Sequence, residues 1–323
     1  MSPVKLSLIK SIRPIGMIDK GRVLPTEYVS IDCSTEGVPT EVVAPADGFI
    51  VLIIHTLPSP EGESGLFRAE KFRVMIEHSS TFWTVFDNLS SLHATVVTRL
   101  PDRTTEGEPW YARISVKKGD VIGTVNERPL HVSTIDSTYT SKQPTVPKHY
   151  DSAPWIIHAV NPLHCFSREI RLRFQTKLTN MATDGADSVL SDSLGGVAGN
   201  WFLENSDFVA GNEDGSLNGY GHLAFAPNPA GDGSMLVSVG NFDGRHVIFA
   251  TDAAGGKTAE SLKVGQTTRM LVDELSDQGK PTGKKMAMLL RRSDEATLEI
   301  ELSAAAGSND KQSFSGNKRT YTR

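Results

Sequence analysis

The sequence predicts an all-β protein. Windows with apolar residues at i, i+3, i+4 and i+7 are scarce. Short runs of period-two alternation recur along the whole chain, each bounded by Gly, Pro, Asn or Asp. In the first half they are EVVAPADGFIVLIIH, FRVMIEH, FWTVFDNL, YARISVKKGDVIGTV and LHVSTID. In the second half they are GHLAFAPNP, SMLVSVGNFDG, HVIFATD and the long stretch from Thr268 to Leu302. At 323 residues, the chain is expected to form two domains of ordinary size.

Apolar content of 38 % and charged content of 22 % are those of a globular protein with a sizeable core. The net charge of −5 and pI near 6.0 argue against a nucleic-acid-binding surface as the main role. No stretch approaches 18 apolar residues, so no transmembrane segment is expected. Residues 1–17 mix basic and apolar residues without a continuous apolar core; they read as a strand or extended lead-in, not a targeting peptide. Cys33 and Cys165 are the only cysteines, and two readings stay open: buried thiols, or one disulfide closing the first domain.

In chain order, APADG (44–48) is a turn between two strands, its Asp-Gly pair suiting a positive φ. SPEGESG (59–65) is a hairpin loop. VKKGDVIG (116–123) repeats the strand–turn–strand pattern, with Lys117 and Lys118 as solvated turn charges or, in the other reading, a carrier lysine. Residues 137–155 form a long irregular connection. A short helix is expected around Ile170–Met181, and a Ser-, Asp- and Gly-rich linker spans 176–198. The expected domains are therefore 1–175 and 199–323. No Gly-x-Gly-x-x-Gly, P-loop or Gly-x-Ser-x-Gly motif is present, and no fixed repeat.

Two strand–turn–strand units flanking a long hairpin resemble the duplicated hybrid motif of biotinyl/lipoyl-like domains and of lysostaphin-like zinc endopeptidases, which cut peptidoglycan cross-bridges. The order of YVSID (28–32), APADG, VMIEH (74–78), FDNLSSL (86–92), VKKGDVIG and PLHVS (129–133) resembles the endopeptidases over residues 20–165. The resemblance implies a duplicated-hybrid-motif β-sandwich or barrel, and a zinc held by two His and one Asp with a water to activate. Carried over position by position, the first ligand His falls on Tyr28 and the Asp on Asp32. An auxiliary His falls on Asn88, and the closing His-x-His falls on Pro129 and His131. Shifting the last register by two residues puts His131 first and Ser133 second. Asn88 can hydrogen-bond but cannot shuttle a proton, and the Tyr28 phenol, with an ordinary pKa of about 10, is a poor ligand. The expectation is a degenerate site, no cofactor and no catalytic residue. His55, His78, His93, His149, His158 and His164 read as solvated or hydrogen-bonded groups.

Gly199-Asn200-Trp201 opens the second half and resembles the start of lipocalin- and avidin-like barrels, whose Trp plugs one end. Some eight candidate strands follow, which fits a small C-terminal antiparallel β-barrel. NEDG (212–215) and NFDG (241–244) read as hairpin turns, with calcium as the other reading, and AAGG (253–256) as a turn. The interior is either a ligand cavity or filled by side chains.

These features point to a non-catalytic binding or structural protein, an inactive peptidase-like domain joined to a barrel. Its expected partner is a protein or glycan, and the family resemblance suggests the cell envelope or the extracellular space. The competing readings are a zinc metallopeptidase built on Asp32 and His131, and a self-assembling surface or filament subunit.

Overall fold

Alternation produces strands wherever side chains of one parity can be buried together, and the chain is mostly β, with 47 % strand and 14 % helix. The computed structural model describes residues 1–19, 22–33, 37–57, 70–102, 108–141, 146–179, 192, 195–206, 221–228, 231–276, 279–305 and 313–323. The 59–65 loop, the NEDG turn and most of the 176–198 linker lie outside them. The chain forms two compact units interleaved in sequence: Met1–Ile15, Glu27–Thr140 and His158–Thr179 make the first, and Gly16–Thr26, Ser141–Ile157 and Asn180–Arg323 the second.

The strands of the first unit are β1 (Ser11–Arg13), β2 (Val29–Asp32), β3 (Thr40–Val43), β4 (Gly48–Thr56), β5 (Lys71–Ser79), β6 (Phe82–Leu89), β7 (Ser91–Leu92), β8 (Trp110–Val116), β9 (Val121–Val125), β10 (Leu130–Asp136) and β11 (Ala159–Val160). An antiparallel sheet runs β1-β2-β10-β6-β5-β4-β8, with β11 added to β10, and β3-β9-β7 forms a smaller sheet. On the inner face of the large sheet Ile12, Ile31, Val132, Phe86, Val74 and Ile53 are all buried. Helix α1 (Ala94–Val97) follows β7, and α2 (Arg168–Gln175) overlaps the expected helix, starting two residues earlier and ending at Gln175, six residues short of Met181. Past α2 the chain returns to β1, where the Ile12 amide donates to the Lys177 carbonyl and the Thr179 amide to the Ile12 carbonyl.

The two repeated turns are corners between sheets. β3 pairs with β9 in the small sheet, while β4 pairs with β8 in the large one. The corners are bonded to each other: the Gly119 amide donates to the Ala44 carbonyl (2.9 Å) and the Ala44 amide to the Asp120 carbonyl (2.9 Å). The Asp47 carboxylate accepts from the Lys118 amide (2.8 Å) and from Lys117 Nζ (3.0 Å), which lowers its pKa. Gly119 has φ +94°. Gly48 is required for a different reason than the one expected. Its backbone is not left-handed; a Cβ there would lie 2.4 Å from the Glu77 carbonyl oxygen.

The second unit is a closed antiparallel barrel of eight strands: β12 (Gly199–Leu203), β13 (Leu223–Pro227), β14 (Met235–Phe242), β15 (Arg245–Thr251), β16 (Thr267–Leu275), β17 (Pro281–Arg292), β18 (Thr297–Ala304) and β19 (Arg319–Thr322). Side chains including Trp201, Phe225, Phe249, Met288 and Ile300 pack its core. Trp201 is fully buried, and its Nε1–H donates to the Val197 carbonyl. The Arg323 guanidinium lies 4.1 Å from the Trp201 ring centroid and donates to the carbonyls of Ala198 (2.9 Å) and Gly196 (2.8 Å). Burial lowers Arg323 to about 10, against the pull of Asp192, so it remains a cation at neutral pH.

In NFDG, Asp243 (φ +49°) and Gly244 (φ +77°) sit between the paired Phe242 and Arg245, a two-residue hairpin turn of the kind expected. AAGG is not a turn but the start of helix α3 (Ala253–Glu260). Two glycines weaken a helix, but the Asp252 carboxylate caps this one by accepting from the Gly255 amide (2.6 Å). Gly256 lets the helix approach so closely that a Cβ would meet the Gly233 carbonyl at 2.2 Å. Glu299 and Glu301 face outward from β18 but are nearly buried, held by Lys318 and Ser315. Residues 147–150, inside the expected irregular connection, and 154–158, which run past its end at 155, form short 3-10 turns. Tyr150 there is buried and accepts from Asn200 Nδ2 at 2.9 Å. Cys33 and Cys165 are both free thiols.

Arg323→Ala removes the donor to the Ala198 and Gly196 carbonyls and is expected to destabilise the barrel by about 3 kcal/mol, with Arg323→Lys recovering only part of the loss, measured by urea denaturation. His246, bonded to Ser238 Oγ (2.8 Å), is held at about 4 by burial, with Asp19 opposing. Its folded pKa lies below the unfolded value of about 6.5, so the unfolded chain takes the proton first. Stability is therefore expected to fall as pH drops from about 6.5 to 4, and His246→Gln should flatten that slope in thermal melts at stepped pH.

Candidate functional site

β10 lies between β2 and β6, and its register decides what meets on each face. His131 stands opposite Ser30 of β2 and Asp87 of β6, while Val132 stands opposite Val29 and Phe86. Alternation sends Val29, Val132 and Phe86 inward. The same alternation puts Ser30, Asp32, His131 and Asp87 on the outer face, and Tyr28, in the bend before β2, joins them through its ring contact with His131.

Tyr28, Asn88, Pro129 and His131 come together there. The His131 ring is stacked on Tyr28, with centroids 3.9 Å apart and planes within 11°. Asn88 Nδ2 donates to the Pro129 carbonyl (3.2 Å) and lies 3.3 Å from both ring nitrogens of His131. Asn88 has φ +68°, a left-handed backbone that asparagine adopts at low cost. The residue in place of the expected histidine therefore has a local structural role: it turns the end of β6 and ties it to β10.

Beside this cluster Asp87 accepts from Arg73 Nη2 (2.5 Å) and Nε (3.1 Å) and from the Asn88 amide (2.8 Å), with Lys71 Nζ at 3.8 Å. Burial raises the carboxyl pKa, but Arg73 and Lys71 more than offset it and hold the group at about 2. Arg13 Nη2 donates to Ser30 Oγ (3.3 Å). The face thus presents a π surface, a carboxamide and a paired guanidinium. Groups of these kinds are capable of hydrogen bonding and stacking.

The residues do not fit the zinc that the resemblance implies. His131 stands between Tyr28 and Asp32, and its ring lies flat on the Tyr28 side. Tyr28 lies in the bend that precedes β2, whereas Asp32 is the last residue of that strand. Among the described residues no group of three His, Cys, Asp or Glu side chains is placed to hold a metal ion.

The remaining histidines have structural partners. His55 Nε2 bonds Glu70 Oε1 (2.6 Å), and its ring stacks on Phe72. His93 caps α1, and His158 Nδ1 bonds the Tyr139 carbonyl (2.6 Å). His149 stacks on Phe202, and His78 bridges Asp47 and Thr84. Sequence reasoning missed the Arg73–Asp87 pair. Its signal was present as opposite charges on the outward parity of FRVMIEH and FWTVFDNL, which become visible only once β5 and β6 are paired.

No family model and no curated protein matches the chain. Among solved structures it is similar to one described as the NMR solution structure of lysostaphin, at 12 % sequence identity and a TM-score of 0.27, over 79 % of this chain and 94 % of that chain.

Asn88→Ala removes the bond to Pro129 and places a residue ill suited to positive φ. It is expected to cost about 2 kcal/mol in denaturant unfolding, whereas Asn88→Gly, which loses the bond but keeps the φ, should cost about half as much.

Proposed function

We propose that this is a non-catalytic binding or structural protein whose first unit derives from a lysostaphin-like peptidase scaffold. Its outer sheet face, around Tyr28, Asn88, His131 and Arg73, contacts a protein or glycan partner at the cell envelope or outside the cell. The observation that carries this reading is the engagement of His131 between the Tyr28 ring and the Asn88 amide. A general base needs a nitrogen open toward substrate, and a metal ligand needs a lone pair converging with two others. The ordered motifs from Tyr28 to His131 support the scaffold. Aromatic, amide and guanidinium groups on one face suit the amides of a peptide or the hydroxyls of a glycan.

The test is metal content and cleavage by the full chain. Purified from zinc-supplemented medium, it is expected to contain far less than one zinc per chain and to leave peptidoglycan and glycine-rich peptides intact. Stoichiometric zinc with chelator-sensitive cleavage would establish the altered metallopeptidase instead. Binding to insoluble peptidoglycan, weakened by Arg73→Ala, would assign the glycan partner.

A further inference from the structure

The inner face of the same sheet carries a cavity of about 200 Å³ in the first unit. Its floor is made by Thr84, Phe86, Val132 and Thr134, which are all buried. These are the neighbours of Val85, Asp87, His131 and Ser133 in β6 and β10, and they point the opposite way. The cavity is therefore separated from the outer face by the thickness of the sheet. Phe82 and Phe166 stand in its wall with Cys165, and Ala46, in the first corner turn, lies at its exposed rim.

The volume exceeds the roughly 150 Å³ of an apolar cavity that takes up benzene, and phenylalanine walls favour an aromatic ring by offset or edge-to-face packing. The polar groups add a further requirement. His78 Nδ1 lies 2.8 Å from the Asp47 carbonyl, which only accepts, so Nδ1 carries the hydrogen. In the neutral ring Nε2 then accepts from the Thr84 hydroxyl at 2.9 Å. Thr134 Oγ1 donates to the Val160 carbonyl at 2.8 Å. The Cys165 thiol faces the Thr134 hydroxyl and the Asn161 carbonyl, both at 3.8 Å, and burial raises its pKa. The hydroxyl hydrogens of Thr84 and Thr134 are thus committed within the protein, while both threonine oxygens retain lone pairs that a ligand's donor can meet.

We propose that this cavity is a binding site for a small aromatic molecule bearing one hydrogen-bond donor, of the phenol or indole class, with the ring between the phenylalanines and the donor directed at Thr84 or Thr134. It is a second site, independent of the outer face.

The test titrates the full chain with phenol and, in parallel, with anisole, which has the ring but no donor, following backbone amides by 1H–15N NMR. Phenol is expected to shift the amides around Ala46, Thr84, Val132 and Thr134 in a saturable way and to bind about tenfold tighter than anisole, the difference one hydrogen bond makes. Ala46→Trp, at an exposed turn, should block the rim and abolish these shifts while amide dispersion is kept. Phenol should also slow alkylation of Cys165 by iodoacetamide. Absence of saturable shifts at these amides, or equal affinity for phenol and anisole, overturns the proposal. Neither outcome depends on a variant folding.

Discussion

The register of β10 against β2 and β6 is the constraint on which the first unit depends. Because side chains alternate, a slip of one residue would exchange the two faces: His131 would enter the core, and Val132 would face outward. The buried set of Val29, Ile31, Leu130, Val132 and Phe86 opposes that slip, since each apolar side chain sent into water costs roughly 2 kcal/mol. The polar cluster on one side and the cavity on the other are thus positioned by one pairing. Asn88 reinforces it from the edge by tying the last turn of β6 to the start of β10.

The two corner turns impose a second constraint. They carry the chain between sheets at neighbouring points, and the bonds from Asp47, Ala44 and Asp120 bind them together. Close approach at Gly48 brings Asp47 to His78, whose tautomer follows from that contact. One corner therefore shapes both the sheet crossing and the polar corner of the cavity.

Much of this was legible in the sequence, because strand formation is local. The alternating runs mark nearly every strand, the eight strands from Gly199 onward close into the expected barrel, and the NFDG hairpin follows from its own φ requirements. What was not legible depends on distant partners. Nothing local in AAGG announces a helix whose glycines are needed for contact with Gly233. Gly48 looks like a positive-φ residue until Glu77 is placed beside it. Of the candidate site, the positions that meet were named from motif order, but the stacking of His131 on Tyr28 and the pairing of Arg73 with Asp87 arise from neighbours in space. The cavity is made by residues from Met1 to Phe166, and no window of sequence contains it.

The interleaving of the two units bears on how the chain is made. Segments 16–26 and 141–157 leave the ribosome well before any barrel strand, so Val23 and Tyr150 are synthesised long before Gly240 and Asn200, the groups they contact. Until then these segments have no finished surface to dock on. Such long-range closure slows folding and leaves apolar residues open to chaperones or misassembly. Cutting the chain at a single point near residue 180 would strand both segments on the first fragment, so the second half does not inherit a whole unit.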